Sequence, residues 1–475
     1  MYYAQICITM ENNNDFCAID VGLDDFDSHT GGCTTHLATY LLNSLASKIK
    51  NIMLFDYPNL VRLNPSIPWK TRGNGAVALR ILLPCEIAEN LESVVEMLEE
   101  LTDDYMKKMG IEPGSTGIEP GLAVAHHTAL NGLAWIYRKA VSDIVFVDQD
   151  LYSKLSRRGI VFSKRFNKRG LVGALAAITW ILDEGSDYTY ELLTYRSRKM
   201  YSRDRCIDEN SVNLFDELTR GSTFNNYDYD EGRVLIAPHG PDPILYGIRG
   251  EDPDTLSIGL HVIKVCEPIA AWTIFRTNQG TDSHAVARTI DSLRPFRTGR
   301  IRGVVASTPK ILQGGAVLIK VFDPTGEILV AFFKPSKLTE VVSNLDIGDL
   351  IEVQGHVKLW NGLQVFHGEK IVLLRISRKV HCKAPPCPQC GRRMKRKGIG
   401  KGYECDHCNI TIFNPILDCM TEIRALRHAL YLPPPHVQKH LVKPVERYGR
   451  EHYLWRFTPI PVASATQIIE PLEFL

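Results

Sequence analysis

The sequence predicts a multidomain α+β protein that ends in a small β-barrel and a zinc ribbon. At 475 residues the chain is too long for a single hydrophobic core, and three or four domains are expected. Five β-rich runs with glycine at the bends predict a Greek-key barrel of the OB type. They lie at residues 301–307, 316–322, 327–333, 350–357 and 370–374. A cluster of cysteines with metal-site spacing follows the barrel.

The N-terminal half alternates predicted strands and helices. The apolar run at residues 17–21 predicts a buried strand, and helical spacing of apolar residues begins near Thr34. Residues 86–109 form an amphipathic pattern typical of one long helix. Residues 171–182 predict a buried helix, and residues 190–196 predict a strand. This mixture indicates the α+β class for the region before the barrel.

The cysteines divide into a metal-binding group and a scattered group. Four thiolates at C-x2-C-x14-C-x2-C spacing close a tetrahedral zinc site with a structural role. The predicted ligands are Cys387, Cys390, Cys405 and Cys408. The other eight cysteines, including Cys7, Cys85 and Cys266, are predicted to be reduced core residues.

Charge and hydropathy indicate a cytoplasmic protein with a nucleic-acid partner. The net charge is only +1, but residues 154–170 hold seven Lys/Arg and no acid, and residues 370–403 hold eleven and no acid. Such runs are often only solvated surfaces, yet two of them favour a nucleic-acid backbone as partner. Trp360, Phe366 and Lys358 would suit base stacking if exposed. We find no signal peptide and no apolar run long enough for a membrane span, and expect no membrane partner.

Residues 21–36, VGLDDFDSHTGGCTTH, are the stretch most suggestive of chemistry. Three carboxylates follow the predicted strand and need a positive partner, for which magnesium is suited. They are Asp24, Asp25 and Asp27, with Asp24 and Asp25 as the predicted ligands. Gly31 and Gly32 would let backbone N–H groups face a phosphate at the start of the helix. The alternative is a solvated acidic turn followed by a threonine N-cap.

A second polar loop could supply cations to the same phosphates. Lys70 and Arg72 directly precede the turn Gly73-Asn74-Gly75. Cations placed beside a transferring phosphoryl group stabilise its charge. The alternative interpretation is a basic hairpin tip without a ligand.

Several long motifs in fixed order resemble one family. They are GLDDFDSHTGGCTT, VRLNPSIPWKTRGNGAVA, GLVGALAAI, TFNNYD, RVLIAPHGPDPILYGIRGE and FRTNQGTDSH, and the barrel and cysteine ribbon follow them. Together they cover about residues 18–440. The chain is therefore similar to the archaeal isoleucine-tRNA 2-agmatinylcytidine synthetases, also called agmatidine synthases.

The resemblance implies an ATP-dependent ligase. Such an enzyme couples agmatine to carbon 2 of the wobble cytidine of isoleucine tRNA with a CAU anticodon, which switches decoding from AUG to AUA. The base is activated by phosphorylation, and the amine of agmatine then displaces phosphate. The implied cofactors are ATP and Mg²⁺, with structural Zn²⁺. The alternatives are a non-catalytic OB-fold and zinc-ribbon nucleic-acid-binding protein, and a small-molecule kinase with a nucleic-acid module.

The resemblance also assigns roles to particular residues. Thr34, directly after the cysteine, is the residue that becomes phosphorylated in this family. The implied catalytic residues are Asp24, Asp25, Asp27, Thr34, Lys70 and Arg72. The implied ATP-binding residues are Gly31, Gly32, Thr35, Asn74 and Gly75. Agmatine carries a guanidinium and an amine, so its pocket should offer carboxylate and carbonyl acceptors. On this ground the candidate agmatine-binding residues are Ser222, Thr223, Asn225, Gln279 and Asp282.

The expected domains follow the order of the motifs. They are a kinase-like ATP/Mg domain (1–110, completed by later segments), a ferredoxin-like agmatine- and tRNA-binding region (111–297), the OB-fold (298–377), the ribbon (378–415) and a C-terminal extension (416–475). The barrel and ribbon are expected to hold the acceptor arm of the tRNA. The chain departs from the family pattern at Phe26, where a threonine is usual, and residues 1–15 have no counterpart.

Overall fold

The computed structural model describes most of the chain. The described residues are 7–9, 15–28, 31–70, 73–111, 118–181, 183, 185–238, 240, 243–378, 380–398, 400–421, 424, 426–455 and 457–475. Arg72 lies outside them.

The part of the chain before the barrel folds around one large sheet. The strands of this part are β1 (Cys7–Thr9), β2 (Asp15–Asp24), β3 (Met53–Leu54), β4 (Asn59–Arg62), β5 (Gly75–Pro84), β6 (Gly121–His126), β7 (Ile160–Asn167), β8 (Thr189–Arg196), β9 (Thr223–Phe224), β10 (Tyr227–Asp228), β11 (Arg233–Val234), β12 (Ile244–Gly250) and β13 (Ile269–Thr277). All of them belong to the large sheet except β10 and β11, which pair with each other in a separate two-stranded sheet. Its helices are α1 (Thr34–Lys48), α2 (Cys85–Ala88), α3 (Leu91–Met109), α4 (Ala134–Ala140), α5 (Gln149–Arg157), α6 (Leu171–Trp180), α7 (Glu209–Leu218) and α8 (Pro253–Val262). Short 3₁₀ turns lie at His127–Leu130, Arg198–Met200 and Ile290–Ser292.

The main path of the sheet runs β7-β6-β2-β5-β4-β13-β8-β12-β9. Helices cover both faces, with α1 and α3 on one side of β2 and β5 and with α4 and α6 on the other. Strand β5 is buried along almost its whole length, as expected for a strand between two helical layers. Its neighbour β4 pairs in parallel with β13, which joins the first half of the sheet to the second. Side chains at the ends of β2, β4 and β8 are thereby brought to one region.

The predicted elements of this region are largely confirmed. The predicted strand at residues 17–21 lies in β2, and the helix begins at Thr34. The long helix predicted at residues 86–109 is instead divided into α2 and α3. Asn90 causes the break, because its side chain accepts a hydrogen bond from the Ser93 N–H at 3.1 Å and caps α3. Gly110 ends α3 in the left-handed conformation.

Residues 298–375 form the predicted barrel. Its elements are β14 (Thr298–Val305), β15 (Lys310–Ile311), β16 (Val317–Asp323), β17 (Gly326–Phe332), α9 (Leu338–Val342), β18 (Leu350–Trp360) and β19 (Leu363–Arg375), with a 3₁₀ turn at Lys334–Ser336. The order β14-β18-β19-β17-β16 closes through the β14–β16 pairing. Trp360 is 46% exposed, but Phe366 is fully buried. The suggested stacking role for Phe366 is therefore wrong, because its side chain belongs to the barrel core.

The chain then forms the ribbon and returns across the molecule. The remaining elements are β20 (Val380–Lys383), β21 (Lys395–Arg396), β22 (Tyr403–Cys405), β23 (Ile410–Ile412), β24 (Asp418–Thr421), β25 (Leu430–Tyr431), β26 (Ile460–Pro461), α10 (Val462–Ala465), β27 (Thr466–Ile468) and α11 (Pro471–Phe474). Two 3₁₀ turns lie at Pro435–Val437 and Val445–Arg447. Strand β25 pairs with β19 of the barrel, whereas β27 pairs with β13 of the large sheet. The C-terminal extension therefore joins the barrel to the N-terminal domains.

The prediction that the scattered cysteines are reduced is wrong for six of them. The structure contains the disulfides Cys17–Cys85, Cys206–Cys266 and Cys382–Cys419. The paired residues are 68, 60 and 37 positions apart along the chain. Only the tertiary fold brings them together, so their spacing carries no signal. Cys33 remains a buried thiol.

The longest described helix is α3, with 19 residues and charged side chains along its outer face. Within the part of the chain that the structure describes, no helix is both long and apolar enough to cross a membrane.

Candidate active site

The acidic motif lies at the end of β2, where the chain turns toward α1. Asp24 is the last residue of β2, and Asp25 follows in the left-handed conformation with φ of 62°. Gly31 and Gly32 have φ values of 124° and 81°, and a Cβ at Gly32 would lie 2.7 Å from Ile111 Cδ1. Glycine is therefore required here both by the backbone and by the close packing.

Thr34 is held beside the motif by two hydrogen bonds. Its backbone N–H donates to Asp27 Oδ1 at 3.4 Å, and its hydroxyl accepts from the Phe26 N–H at 3.3 Å. The N-cap of α1 is Cys33, with no side-chain cap, and Asp25 is only 7% exposed. The alternative of a solvated acidic turn with a threonine N-cap is therefore not what the structure contains.

Phe26, the departure from the family pattern, packs into the core beneath this motif. Its side chain is fully buried and lies edge-on against Phe166, with the ring centroids 5.5 Å apart. Its backbone N–H still contacts Thr34. The phenylalanine side chain thus anchors the acidic motif to the hydrophobic core.

Two aspartates open onto a small pocket of about 80 Å³. We call it the aspartate pocket; its polar and glycine residues are Asp24, Asp25, Lys70, Asn74, Asp143, Arg169, Gly170 and Gly173. Burial, and the adjacent Asp25 and Asp27 carboxylates, raise the pKa of Asp24 well above its usual range. Negative charge here is therefore unfavourable in the protein alone, and a bound cation would offset it.

The start of α6 packs directly on Asp24. A Cβ at Gly173 would lie 1.9 Å from Asp24 Oδ2, and a Cβ at Gly121 would lie 2.0 Å from the Leu171 nitrogen. Arg169, just before the helix, lies with Nη2 3.6 Å from Asp25 Oδ2. The helix N-terminus and this guanidinium provide positive potential beside the carboxylates. This arrangement was not predicted from the sequence. Arg169 lies in the basic run at residues 154–170, and Gly173 lies in the motif GLVGALAAI, so both segments had been noted without a role at this site.

A larger cleft of about 430 Å³ lies on the other side of the motif. We call it the threonine cleft; its polar lining includes Asp27, Thr34, Thr35, Arg62, Glu191, Asn225, Arg233, Arg249, His436, Gln438 and His440. Glu191 is buried and lies 3.0 Å from Arg249 Nε and 3.7 Å from Arg62 Nη2. Burial lowers the pKa of Arg62. Arg62, Glu191 and Arg249 were not predicted from the sequence, because they lie on separate strands.

The structure separates the predicted nucleotide residues between the two spaces. Lys70 and Asn74 line the aspartate pocket, whereas Thr35 and Gly75 line the threonine cleft. Partial burial and the nearby Lys439 and Lys358 lower the pKa of Lys70. The Asn74 side chain donates to the Asn64 carbonyl oxygen at 2.9 Å. Thus the loop carrying Lys70 runs along the boundary between the two spaces.

The five candidate agmatine residues do not form one cluster. Asn225 lines the threonine cleft, and Gln279 is buried and donates to Glu191 of that cleft. The Thr223 hydroxyl lies 2.7 Å from that of Thr219, and the Ser222 carbonyl accepts from the Glu251 N–H. Asp282 is bound by Gln354 and Lys370 of the barrel. Among the five, therefore, only Asn225 lines the threonine cleft.

The four predicted zinc ligands converge. The Sγ atoms of the four cysteines all lie within 4.8 Å of one another. Backbone N–H groups of Cys390 and Gln389 help lower the pKa of Cys387 to about 7. Four thiolates at this separation fit one tetrahedral zinc ion. The residues are Cys387, Cys390, Cys405 and Cys408.

Four domain families match the chain. They are the TiaS TCKD domain at residues 20–164, the TiaS FLD domain at 168–284, an OB-fold nucleic acid binding domain at 300–374 and the TiaS C-terminal zinc ribbon domain at 384–417. The predicted fold class, kinase-like and ferredoxin-like domains followed by a barrel and a ribbon, is confirmed by these matches and by the fold.

Curated relatives match over nearly their whole length. The chain is 50% identical over 461 residues to the isoleucine-tRNA 2-agmatinylcytidine synthetase TiaS of Ignisphaera aggregans, and the match covers 96% of this chain and 98% of that protein. It is 35% identical to the protein of the same name from Methanocaldococcus jannaschii, covering 90% and 98%.

Solved structures of TiaS also match over nearly the whole length of both chains. The crystal structure of TiaS with isoleucine tRNA and ATP aligns with a TM-score of 0.75 at 30% identity, covering 91% of this chain and 97% of that one. The complex of TiaS with isoleucine tRNA, AMPCPP and agmatine aligns with a TM-score of 0.74 at 29% identity, with the same coverage.

Proposed function

The chain belongs to the isoleucine-tRNA 2-agmatinylcytidine synthetase family, and we propose how its own residues carry out that reaction. It is an ATP-dependent enzyme that attaches agmatine to carbon 2 of a cytidine in isoleucine tRNA. The observation that carries this conclusion is the match to the Ignisphaera protein along both chains. A purely nucleic-acid-binding role is not favoured, because a structure of the family holds tRNA together with an ATP analogue and agmatine.

The aspartate pocket is the proposed site of magnesium and of the phosphate oxygens that it contacts. Asp24 and Asp25 offer the carboxylate oxygens that Mg²⁺ prefers, and the raised pKa of Asp24 supports a cation beside it. Bound there, Mg²⁺ would neutralise phosphate charge during phosphoryl transfer. Lys70, Arg169 and the start of α6 supply further positive potential. Arg72, outside the described residues, remains a predicted contributor.

Thr34 lines the threonine cleft and is hydrogen-bonded to the acidic motif. Its N–H is bound by Asp27, so its hydroxyl is held at the edge of that motif. We assign it the role of the phosphorylated threonine and Asp27 that of positioning it. Gly31, Gly32 and Thr35 shape the same turn, and Asn74 and Gly75 shape the loop that faces it.

The threonine cleft is the proposed site of the cytidine and agmatine. Its volume of about 430 Å³ suits a base together with a short amine. The target base must leave its stack to enter this cleft. Phosphorylation of its carbon 2 oxygen turns that oxygen into a leaving group, and the amine of agmatine then forms the new C–N bond. The side-chain oxygens of Asn225 and Glu191, which line the cleft, are the proposed acceptors for the guanidinium group, and Gln279 donates to the Glu191 carboxylate.

The barrel and ribbon are proposed to hold the tRNA away from the chemistry. Trp360 and Lys358 are exposed at the β18–β19 hairpin, and basic residues surround the cysteine site. These features suit stacking and phosphate contacts with RNA. We propose that the barrel and ribbon bind the acceptor arm of the tRNA. We also propose that the substrate tRNA has a CAU anticodon and that the protein is cytoplasmic.

One incubation tests this function. Purified protein is mixed with ATP, Mg²⁺, labelled agmatine and unmodified isoleucine tRNA with a CAU anticodon. We expect label in the tRNA that disappears when ATP is omitted or when the wobble cytidine is replaced. Tight tRNA binding without incorporation of label would refute the catalytic function and favour a non-catalytic tRNA-binding protein.

A further inference from the structure

One loop reaches from the threonine cleft to the barrel. It comprises residues 278–284, directly after β13, and we call it the bridging loop. At its first end, the Asn278 side chain accepts from the Arg62 N–H at 2.8 Å and donates to the Arg62 carbonyl oxygen at 2.9 Å. The next residue, Gln279, donates to the Glu191 carboxylate. Arg62 and Glu191 line the cleft, so this end of the loop is fixed to the cleft wall.

The other end of the bridging loop is bound by the barrel. Asp282 Oδ1 accepts from Gln354 Nε2 at 2.8 Å, and Asp282 Oδ2 accepts from the Lys370 ammonium. Two residues later, His284 Nε2 lies 3.2 Å from Glu369 Oε2. Gln354 belongs to β18, and the other two barrel residues belong to β19. The barrel is therefore attached to a loop whose opposite end supports the cleft.

The Asp282 carboxylate collects contacts from the C-terminal extension as well. Its Oδ1 accepts from the Lys443 N–H at 2.9 Å, and the Asp282 N–H donates to the Leu441 carbonyl oxygen at 2.8 Å. The barrel partner, Lys370, has only 8% of its side chain exposed, and its Nζ lies 2.9 Å from the Tyr448 hydroxyl. Removing the carboxylate from such a pair is costly, because an uncompensated charge stays buried. Asp282 is thus a point at which barrel, extension and bridging loop are held together.

We propose that Asp282 is a positioning residue that sets the place of the barrel relative to the threonine cleft. The inference rests on the proposed function, in which the barrel binds the acceptor arm while the wobble cytidine enters the cleft. An RNA held at both points presents its base correctly only when the two regions keep a fixed separation. A misplacement of about 1 Å can cost about 10²-fold in rate. Asp282 therefore acts on the reaction through the barrel, without contacting agmatine.

The test compares Asp282→Asn, Lys370→Met and the variant that carries both changes. The first keeps the side-chain size and removes the charge, and the second removes the partner on the barrel. With saturating tRNA, we expect kcat for agmatine incorporation to fall about tenfold or more in each single variant. The double variant should be no slower than the slower single variant, because residues that act through one contact show non-additive losses. The KM for agmatine and the phosphorylation of Thr34 by labelled ATP should stay within about twofold of wild type.

An exposed ion pair between the barrel and the preceding domain provides the matched control. Lys337 Nζ lies 3.1 Å from Glu231 Oε1, and both side chains are nearly half exposed. Lys337→Met should keep kcat within about twofold of wild type, because exposed ion pairs contribute little. The contrast with Lys370→Met then reports the buried attachment at Asp282 and not the loss of a barrel charge in general.

Several results would overturn the proposal. One is a kcat within about threefold of wild type in both single variants. Another is a set of losses that multiply in the double variant, since the two side chains would then act independently. A KM for agmatine raised about tenfold by Asp282→Asn alone would make Asp282 an agmatine ligand instead. A parallel loss of Thr34 phosphorylation would leave it only a structural role.

Two further outcomes are distinguished by the same set of variants. If Asp282→Asn does not fold, Lys370→Met decides the proposal from the barrel side, away from the cleft. Failure of wild type to incorporate label would refute the proposed function, on which this inference rests.

Discussion

The close packing of α6 on Asp24 leads to a quantitative prediction for Gly173→Ala. The added Cβ would lie 1.9 Å from Asp24 Oδ2, whereas ordinary contact requires 3.4 Å. The carboxylate must therefore move by roughly the 1.5 Å difference, because the helix backbone opposite it cannot yield easily. A displacement of about 1 Å at a reacting centre can cost about 10²-fold in rate. We expect ATP-dependent incorporation of agmatine to fall by about that factor.

Stability should change much less than activity. Replacing glycine by alanine inside a helix stabilises the folded state by about 1 kcal/mol. Overpacking destabilises the folded state by about 1–3 kcal/mol. The net destabilisation should therefore be at most about 2 kcal/mol, measurable by urea unfolding. Gly259→Ala in α8 is the matched control, because its Cβ would meet the flexible tip of Ile248. If Gly173→Ala keeps activity within threefold of wild type, the assignment of Asp24 to the reaction is refuted.

Three further perturbations test other assignments. Asp25→Ala should abolish incorporation yet leave tRNA binding nearly intact in a gel-shift assay; full turnover would remove its metal role. Cys390→Ser should release zinc, measured by metal analysis, and weaken tRNA binding. An unchanged tRNA affinity in the zinc-free variant would contradict the proposed role of the ribbon in tRNA binding. Because the pKa of Asp24 is raised, protons compete with Mg²⁺ as pH falls through that pKa. The Mg²⁺ concentration for half-maximal activity should then decrease as pH rises, and a requirement independent of pH would argue against Asp24 as ligand.

Much of the architecture was readable in the sequence because it depends on local patterns. Alternating apolar residues and turn glycines predicted the barrel, and cysteine spacing predicted the ribbon site. The acidic motif and Thr34 were found for the same reason, since they lie within a few residues of one another. The break between α2 and α3 was missed, because the amphipathic pattern continues through the cap at Asn90.

The extension after the ribbon shows where such prediction stops. The sequence identified it only as a C-terminal extension, and the structure places β27 on the large sheet and Phe474 against His36 of α1, with ring centroids 4.0 Å apart. No local pattern reports which distant surface such a segment covers. The disulfides were missed for the same reason.

The chemical groups available to this protein are already evident in its amino-acid order: clustered carboxylates, a threonine at a helix start, and four thiolates at zinc spacing. Their arrangement in space depends on the tertiary fold. The fold placed α6 and Arg169 beside Asp24, and it brought Arg62, Glu191 and His440 to one cleft from three distant segments. The physical reason is that hydrogen-bond patterns and apolar spacing act over a few residues, whereas strand order and long-range packing determine which remote side chains meet.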